Sequence, residues 1–160
     1  MANNNLSFSL TAIFIIVKIL SKMAIVILDI DDSVIATICA INPWNHTGIK
    51  LIANQEYCFE ATGEWYDFYG KIPCNANGFS SSEVGRQYLW LVEWLRRSPR
   101  QKWFALIGSI NRSKQTYFKI GTKHTFKSPY TGELVCFAND VPGFYKNNSG
   151  DINLQITRTA

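Results

Sequence analysis

From Asp29 onward the chain is written in short apolar runs, rich in β-branched and aromatic residues, with Gly, Pro, Asn and Ser between them. Turn punctuation at intervals of about ten residues breaks the chain into strand lengths, and strands must bury one face against a second sheet. That rhythm predicts an all-β sandwich. Residues 33–41 (SVIATICAI), 49–52, 55–62 (QEYCFEAT), 103–110 (WFALIGSI), 116–120, 132–138 (GELVCFA) and 151–157 (DINLQIT) read as strands. The run 55–62 alternates apolar and polar residues, as a half-buried strand requires. Asn42-Pro43 breaks the first strand, residues 44–48 read as a turn, and 71–82 as a loop. There is no internal repeat and no low-complexity stretch.

One segment departs from this rhythm. In residues 82–97, Val84, Tyr88, Leu91, Val92 and Leu95 recur at helical spacing, with Glu83 in the first turn and Arg96 and Arg97 in the last. Ser81 or Ser82 can cap this α-helix and Pro99 ends it. The fold expected is thus a β-sandwich with one inserted α-helix. Trp90 and Trp94 of that helix are expected to pack on the sandwich, with lining a groove as the alternative.

Residues 1–33 are read as an apolar N-terminal extension and 34–160 as the sandwich domain. The apolar stretch 7–30 lacks positive charge ahead of it, and Lys18, Ser21 and Lys22 interrupt it. A signal peptide wants that charge, and a membrane-spanning helix wants about 20 mostly apolar residues. A packed extension, an export signal, a membrane anchor and an internal start at Met23 all stay open, so membrane contact and localisation (cytoplasmic, or exported by a non-standard route) stay open with them.

Composition excludes some classes. Sixteen Lys and Arg against twelve Asp and Glu leave a net charge of +4, and the basic residues are scattered. A nucleic-acid binder carries a continuous basic stripe, so no nucleic-acid partner is expected. The local cluster Arg96, Arg97, Arg100 and Lys102 reads as a solvated basic edge. Cys39, Cys58, Cys74 and Cys136 show no CxxC spacing, which argues against structural zinc and leaves the disulfide state open. No HExxH, no Ser/His/Asp arrangement and no Gly-rich phosphate loop occurs, and the neighbouring acids Glu60, Glu64 and Asp67 make no paired-acid motif in a loop. No enzyme is expected.

The chemistry concentrates in residues 139–150, NDVPGFYKNNSG. This loop offers the Asp140 carboxylate, the carboxamides of Asn139, Asn147 and Asn148, a serine hydroxyl, and carbonyls around a Pro-Gly turn. Hard cations such as Ca²⁺ take six to eight oxygens, including Asn side chains and main-chain carbonyls. The spacing is not that of an EF-hand. With one carboxylate, the loop leaves room in the metal's shell for vicinal sugar hydroxyls. The plain alternative is two turns of a long hairpin connection.

NDVPGFYKNNSG with a short C-terminal strand behind it resembles the calcium- and galactose-binding loop of the PA-IL family of bacterial lectins. The order of parts agrees over residues 34–158: residues 44–49, Asn54-Gln55-Glu56-Tyr57, Ala61-Thr62-Gly63 before the aromatic cluster of Trp65, Tyr66, Phe68 and Tyr69, and Ala105-Leu106-Ile107-Gly108. The resemblance implies a jelly-roll-like, galactose-binding-domain-like sandwich with Ca²⁺ as cofactor and galactose-type glycans as partners; a monomer and a homo-oligomer that multiplies the site both stay open. It makes Asp140, Asn147 and Asn148 side-chain ligands of the metal and Phe144 a carbonyl ligand. A further carbonyl comes from Asp67 or Tyr69. Asp140, Val141 and Asn147 would meet the sugar, with Trp65 and Tyr69 offering a stacking face. The family's His and Gln contacts to the sugar's outer hydroxyl have no counterpart here, because residues 74–102 replace that loop and hold no histidine. His46 and His124 are expected to be surface or turn residues. The alternatives are a structural or toxin-associated sandwich with a calcium-stiffened loop and a metal-dependent hydrolase.

Overall fold

The computed structural model describes residues 25–160. Most of the apolar stretch 7–30, with the export, anchor and extension readings attached to it, lies outside these residues. Among the described residues no helix is long and apolar enough to cross a membrane.

Nine strands form two antiparallel sheets: β1 (Ser33–Cys39), β2 (Asn45–Leu51), β3 (Glu56–Asp67), β4 (Ile72–Cys74), β5 (Leu106–Ile110), β6 (Phe118–Lys119), β7 (Lys123–Lys127), β8 (Gly132–Ala138) and β9 (Ser149–Arg158). The first sheet runs β1-β9-β3-β4, with β7 pairing the other half of the same β3 edge; the second runs β2-β8-β5-β6. The all-β sandwich is therefore the architecture. Alternation builds it: in β9, Ile152, Leu154 and Ile156 are buried while Asp151, Asn153 and Gln155 face solvent. They meet Ile38, Phe59, Trp65, Leu134 and Cys136 in one core between the sheets. The outer face of the second sheet is covered too, because Trp44 and Tyr117 lie against Ala105, Ile107 and Phe137. Double coverage explains why every residue of β5 is buried. Ahead of β1, Val26 pairs with Ile49 and Leu28 is buried in the core.

Three local expectations give way. Residues 45–48 enter strand β2 instead of turning, with a bulge between His46 and Lys50 absorbing the irregularity. β4 and β7 lie where no strand is expected; each is short and holds its place by pairing with the long β3. The inserted helix is a 3-10 helix over Gln87–Leu95, not an α-helix over 82–97, and none of its residues is fully buried. With about three residues per turn, positions three apart align, so the side chains sort into three rows. Leu89, Val92 and Leu95 line one cavity, Gln87, Trp90 and Glu93 line another, and Tyr88, Leu91 and Trp94 are exposed. The expected packing of Trp90 and Trp94 on the sandwich is absent.

The solvated basic edge is also corrected. Arg96 is buried over the Trp103 ring at 4.9 Å and donates to the carbonyls of Glu93 and Pro99. Arg97 lies against Phe137 and Trp44, 3.5 and 3.9 Å from their ring centres, and donates to the hydroxyls of Tyr145 and Tyr117. A delocalised guanidinium suits such aromatic faces. Lys102 pairs with Glu83 at 2.8 Å and stays exposed with Arg100. All four cysteines are free thiols. Burial holds Cys136 well above the ordinary thiol range and pushes Cys74 up to about 12.

Candidate functional site

The ladder between β3 and β9 assembles the site. Its register ends with Trp65 against Gly150 and Tyr66 against Ser149, so the next step sets Asp67 beside Asn148. Gly150 has φ +82°, and a Cβ there would sit 2.7 Å from the Glu64 carbonyl oxygen. Only glycine allows the strands to approach this closely. At the other end of the loop, Asn139 follows β8 and continues its pairing, with its N–H donating to the Ala105 carbonyl at 3.0 Å. Residues 140–148 thus cross from one sheet to the other at the end of the sandwich, directly against the β3–β4 turn.

That turn carries Phe68, Tyr69 and Gly70 at φ +52°, +58° and +83°. Two consecutive non-glycine residues in the left-handed region store strain, a feature that concentrates at functional sites. The Phe68 N–H donates to Asp67 Oδ1, and the Tyr69 N–H donates to the Asn147 carbonyl at 2.8 Å. The turn and the loop are therefore fastened to each other through backbone and side chain.

Four predicted ligands converge here. Asn147 Nδ2 donates to Asp67 Oδ1 at 3.2 Å, and Asn148 Nδ2 donates to Asp140 Oδ2 at 2.9 Å. Asp140 Oδ1 accepts the Val141 N–H at 2.7 Å. A carboxylate only accepts, so each carboxamide must turn its NH₂ toward it and its oxygen elsewhere. Both of those oxygens, Asn147 Oδ1 and Asn148 Oδ1, are buried without a hydrogen-bond partner. Buried acceptors left unmade cost free energy unless something else fills them. Asp140 and Asn148 are only 4% and 3% exposed. Burial pushes the Asp67 carboxyl up to about 6 and nearby Asp140 adds to the shift; the Phe68 N–H, Arg86 and Asn147 oppose it. Asp140 is raised as well, chiefly by burial. Two carboxylates raised in this way, with two orphaned amide oxygens on the carboxamides that contact them, suit a hard divalent cation, whose charge reverses the local penalty. Among the described residues no three His, Cys, Asp or Glu side chains cluster as metal ligands; the oxygen groups gathered here belong to two carboxylates and two carboxamides.

The remaining predicted residues divide. Phe144 is exposed, and its carbonyl accepts the Asn147 N–H at 3.3 Å, leaving one lone pair. Val141 has its N–H on Asp140 and its carbonyl on the Phe144 N–H at 3.1 Å, so its N–H is already engaged. The choice between Asp67 and Tyr69 falls on different groups: the Asp67 side chain faces the loop, while the Tyr69 ring is 78% exposed beside a cavity of about 330 Å³. Trp65 is a correction. It is fully buried, edge-on to Phe104, with its indole N–H donating to the Asn75 carbonyl at 3.3 Å, so it has no face to offer a sugar. An aromatic cluster on one strand alternates, and Trp65 takes the inward position.

Leu89, Val92, Leu95 and Trp103 lie outside the motif, and Asn139 and Tyr145 within it have structural roles the motif does not signal. A cavity of about 260 Å³ opens beside Asp67, Asp140 and Asn147, and Leu89, Val92, Leu95 and Trp103 form much of its wall. The spacing of three between Leu89, Val92 and Leu95 is the signal, once read as a 3-10 row. Asn139 is fully buried; its Oδ1 accepts the Ser98 N–H at 2.9 Å and its Nδ2 donates to the Ser98 and Lys102 carbonyls, each at 2.9 Å. It clamps the end of the insertion to the start of the loop. Tyr145 adds a second fastening, donating to the Ala138 carbonyl at 2.8 Å while accepting from Arg97 at 3.1 Å.

No protein-family model matches the chain, and no curated protein matches it. Among solved structures it is similar to "EclA N-terminal domain; PllA-like lectin", with a TM-score of 0.59 and 18% sequence identity, covering 78% of this chain and 94% of that one. At that identity the shared property is the fold, and this chain has the sandwich of that lectin domain.

Proposed function

We propose that the protein is a calcium-dependent carbohydrate-binding protein, non-catalytic, in which Asp67, Asp140, Asn147 and Asn148 hold Ca²⁺ and the metal in turn holds vicinal hydroxyls of a sugar. The observation that carries the reading is the pair of buried, unpartnered amide oxygens of Asn147 and Asn148 beside two carboxylates. The Phe144 carbonyl can add its free lone pair. The lectin domain of similar fold supports a sugar as the partner. Galactose-type glycans are the first to try, and repetition of the site in a homo-oligomer would raise avidity. The exposed Tyr69 ring is the stacking face nearest the loop.

Calorimetric titration with Ca²⁺, followed by a glycan array run with calcium and with chelator, tests both halves. Calcium that binds the folded state alone stabilises it by about 2.7 kcal/mol at a hundredfold excess over Kd, read as a rise in Tm. A calcium-dependent array signal supports the lectin reading. Calcium binding with no calcium-dependent signal on any glycan leaves a metal-stiffened loop and removes the sugar.

A further inference from the structure

The cavity beside the carboxylates has two unlike kinds of lining. Asp67, Asp140 and Asn147 make one, where a metal-held diol would sit. Leu89, Val92 and Leu95 make the other, aligned by the three-residue repeat of the 3-10 helix, and Trp103 lines the cavity with them. Trp103 is 3% exposed, and its indole N–H has no acceptor. That N–H is itself buried, so the aliphatic row presents methyl and methylene surface. It holds no carboxylate, carboxamide or hydroxyl to receive an extra hydroxyl group.

We infer that the site selects 6-deoxyhexoses over hexoses, the aliphatic row Leu89, Val92 and Leu95 receiving the sugar's methyl group. This rests on the lectin reading and names the sugar class within it. A hexose placed on the metal by its ring diol projects a CH₂OH group, and turning it onto an aliphatic row strips its hydroxyl of water without returning a hydrogen bond. In a 6-deoxyhexose the same carbon is a methyl, whose burial is favourable. Selectivity would thus come from the insertion, while the loop supplies the metal.

A glycan array printed with matched hexose and 6-deoxyhexose pairs, in galacto and other configurations, reads this directly. With calcium the 6-deoxy member of a bound pair is expected to bind about tenfold more tightly, the discrimination an apolar wall gives against one added hydroxyl. Val92→Thr puts a hydroxyl into the row at nearly constant volume, and should bring the two members of the pair toward equal binding. Should that variant fail to melt as a folded protein, the ratio on the unaltered chain still decides. Calcium-dependent signal that is equal for both members, or stronger for the hexoses, overturns the inference and leaves the lectin reading standing. Calcium binding with no glycan signal at all removes both.

Discussion

Residues 139–150 and the insertion at 75–102 meet over one cavity, yet they are built in opposite ways. The loop is short, spans the two sheets, and fixes nearly every polar group: Asp140 on Asn148 and Val141, Asn147 on Asp67, Tyr145 on Ala138. The insertion turns through an irregular 3-10 helix and leaves Tyr88, Trp90, Leu91 and Trp94 exposed. Its side facing the loop is aliphatic, and it is tethered at its C-terminal end by Asn139 and Arg97. The difference separates two duties. Charge and oxygen donors sit where register fixes them, and shape sits on a segment that can vary without disturbing the strands.

The largest effect should come from removing the charge. Asp140→Ala deletes one of two carboxylates and leaves the buried Asn148 amide only the longer bond to the Ala40 carbonyl at 3.4 Å. Calcium affinity should fall by at least about a hundredfold by calorimetry, the scale of one lost charged ligand at a site of this kind. Unchanged affinity would show that the loop is not the metal site, and the division of duties would collapse.

The tether is the next point at which to break the comparison. Asn139→Ala leaves the Ser98 N–H and the carbonyls of Ser98 and Lys102 short of partners in a buried position. A loss of about 3 kcal/mol in denaturant unfolding is expected for such a network. Limited proteolysis should cut first within 75–102, since local opening follows the weakest tether. If cleavage there is no faster than in the unaltered protein, the insertion is held by its aliphatic row and not by the loop.

How far the sequence foretold this follows from the same contrast. Strands β1, β8 and β9 were legible because alternation and turn residues act locally, and the polar loop was legible because its oxygen-bearing residues lie close together in the chain. Asp67 was legible only as one of two choices, since its place depends on a ladder between distant segments. The insertion misled for a physical reason. Leu91, Val92 and Leu95 satisfy a helical spacing on paper, but Asn139 and Arg97 hold the segment's C-terminal end to the loop and its turns tighten to a 3-10 helix. Leu91 then faces solvent while Leu89, which the α-helical pattern left out, joins the cavity wall. Trp65 misled because an aromatic residue in a cluster shows its chemistry but not its side of the strand.

The smallest effect expected is at the exposed row of the insertion. Trp94 is 70% exposed, and its indole N–H donates to the Leu91 carbonyl within its own turn at 3.1 Å. Replacing a surface side chain of this kind changes stability by about 0.5 kcal/mol or less. Trp94→Ala should therefore leave the denaturation midpoint nearly unmoved while removing part of the tryptophan fluorescence. A shift several times larger would mean that Trp94 packs in solution. The exposed row of the 3-10 helix would then be held as well as its two ends, and the freedom assigned to it as the variable half of the site would have to be withdrawn.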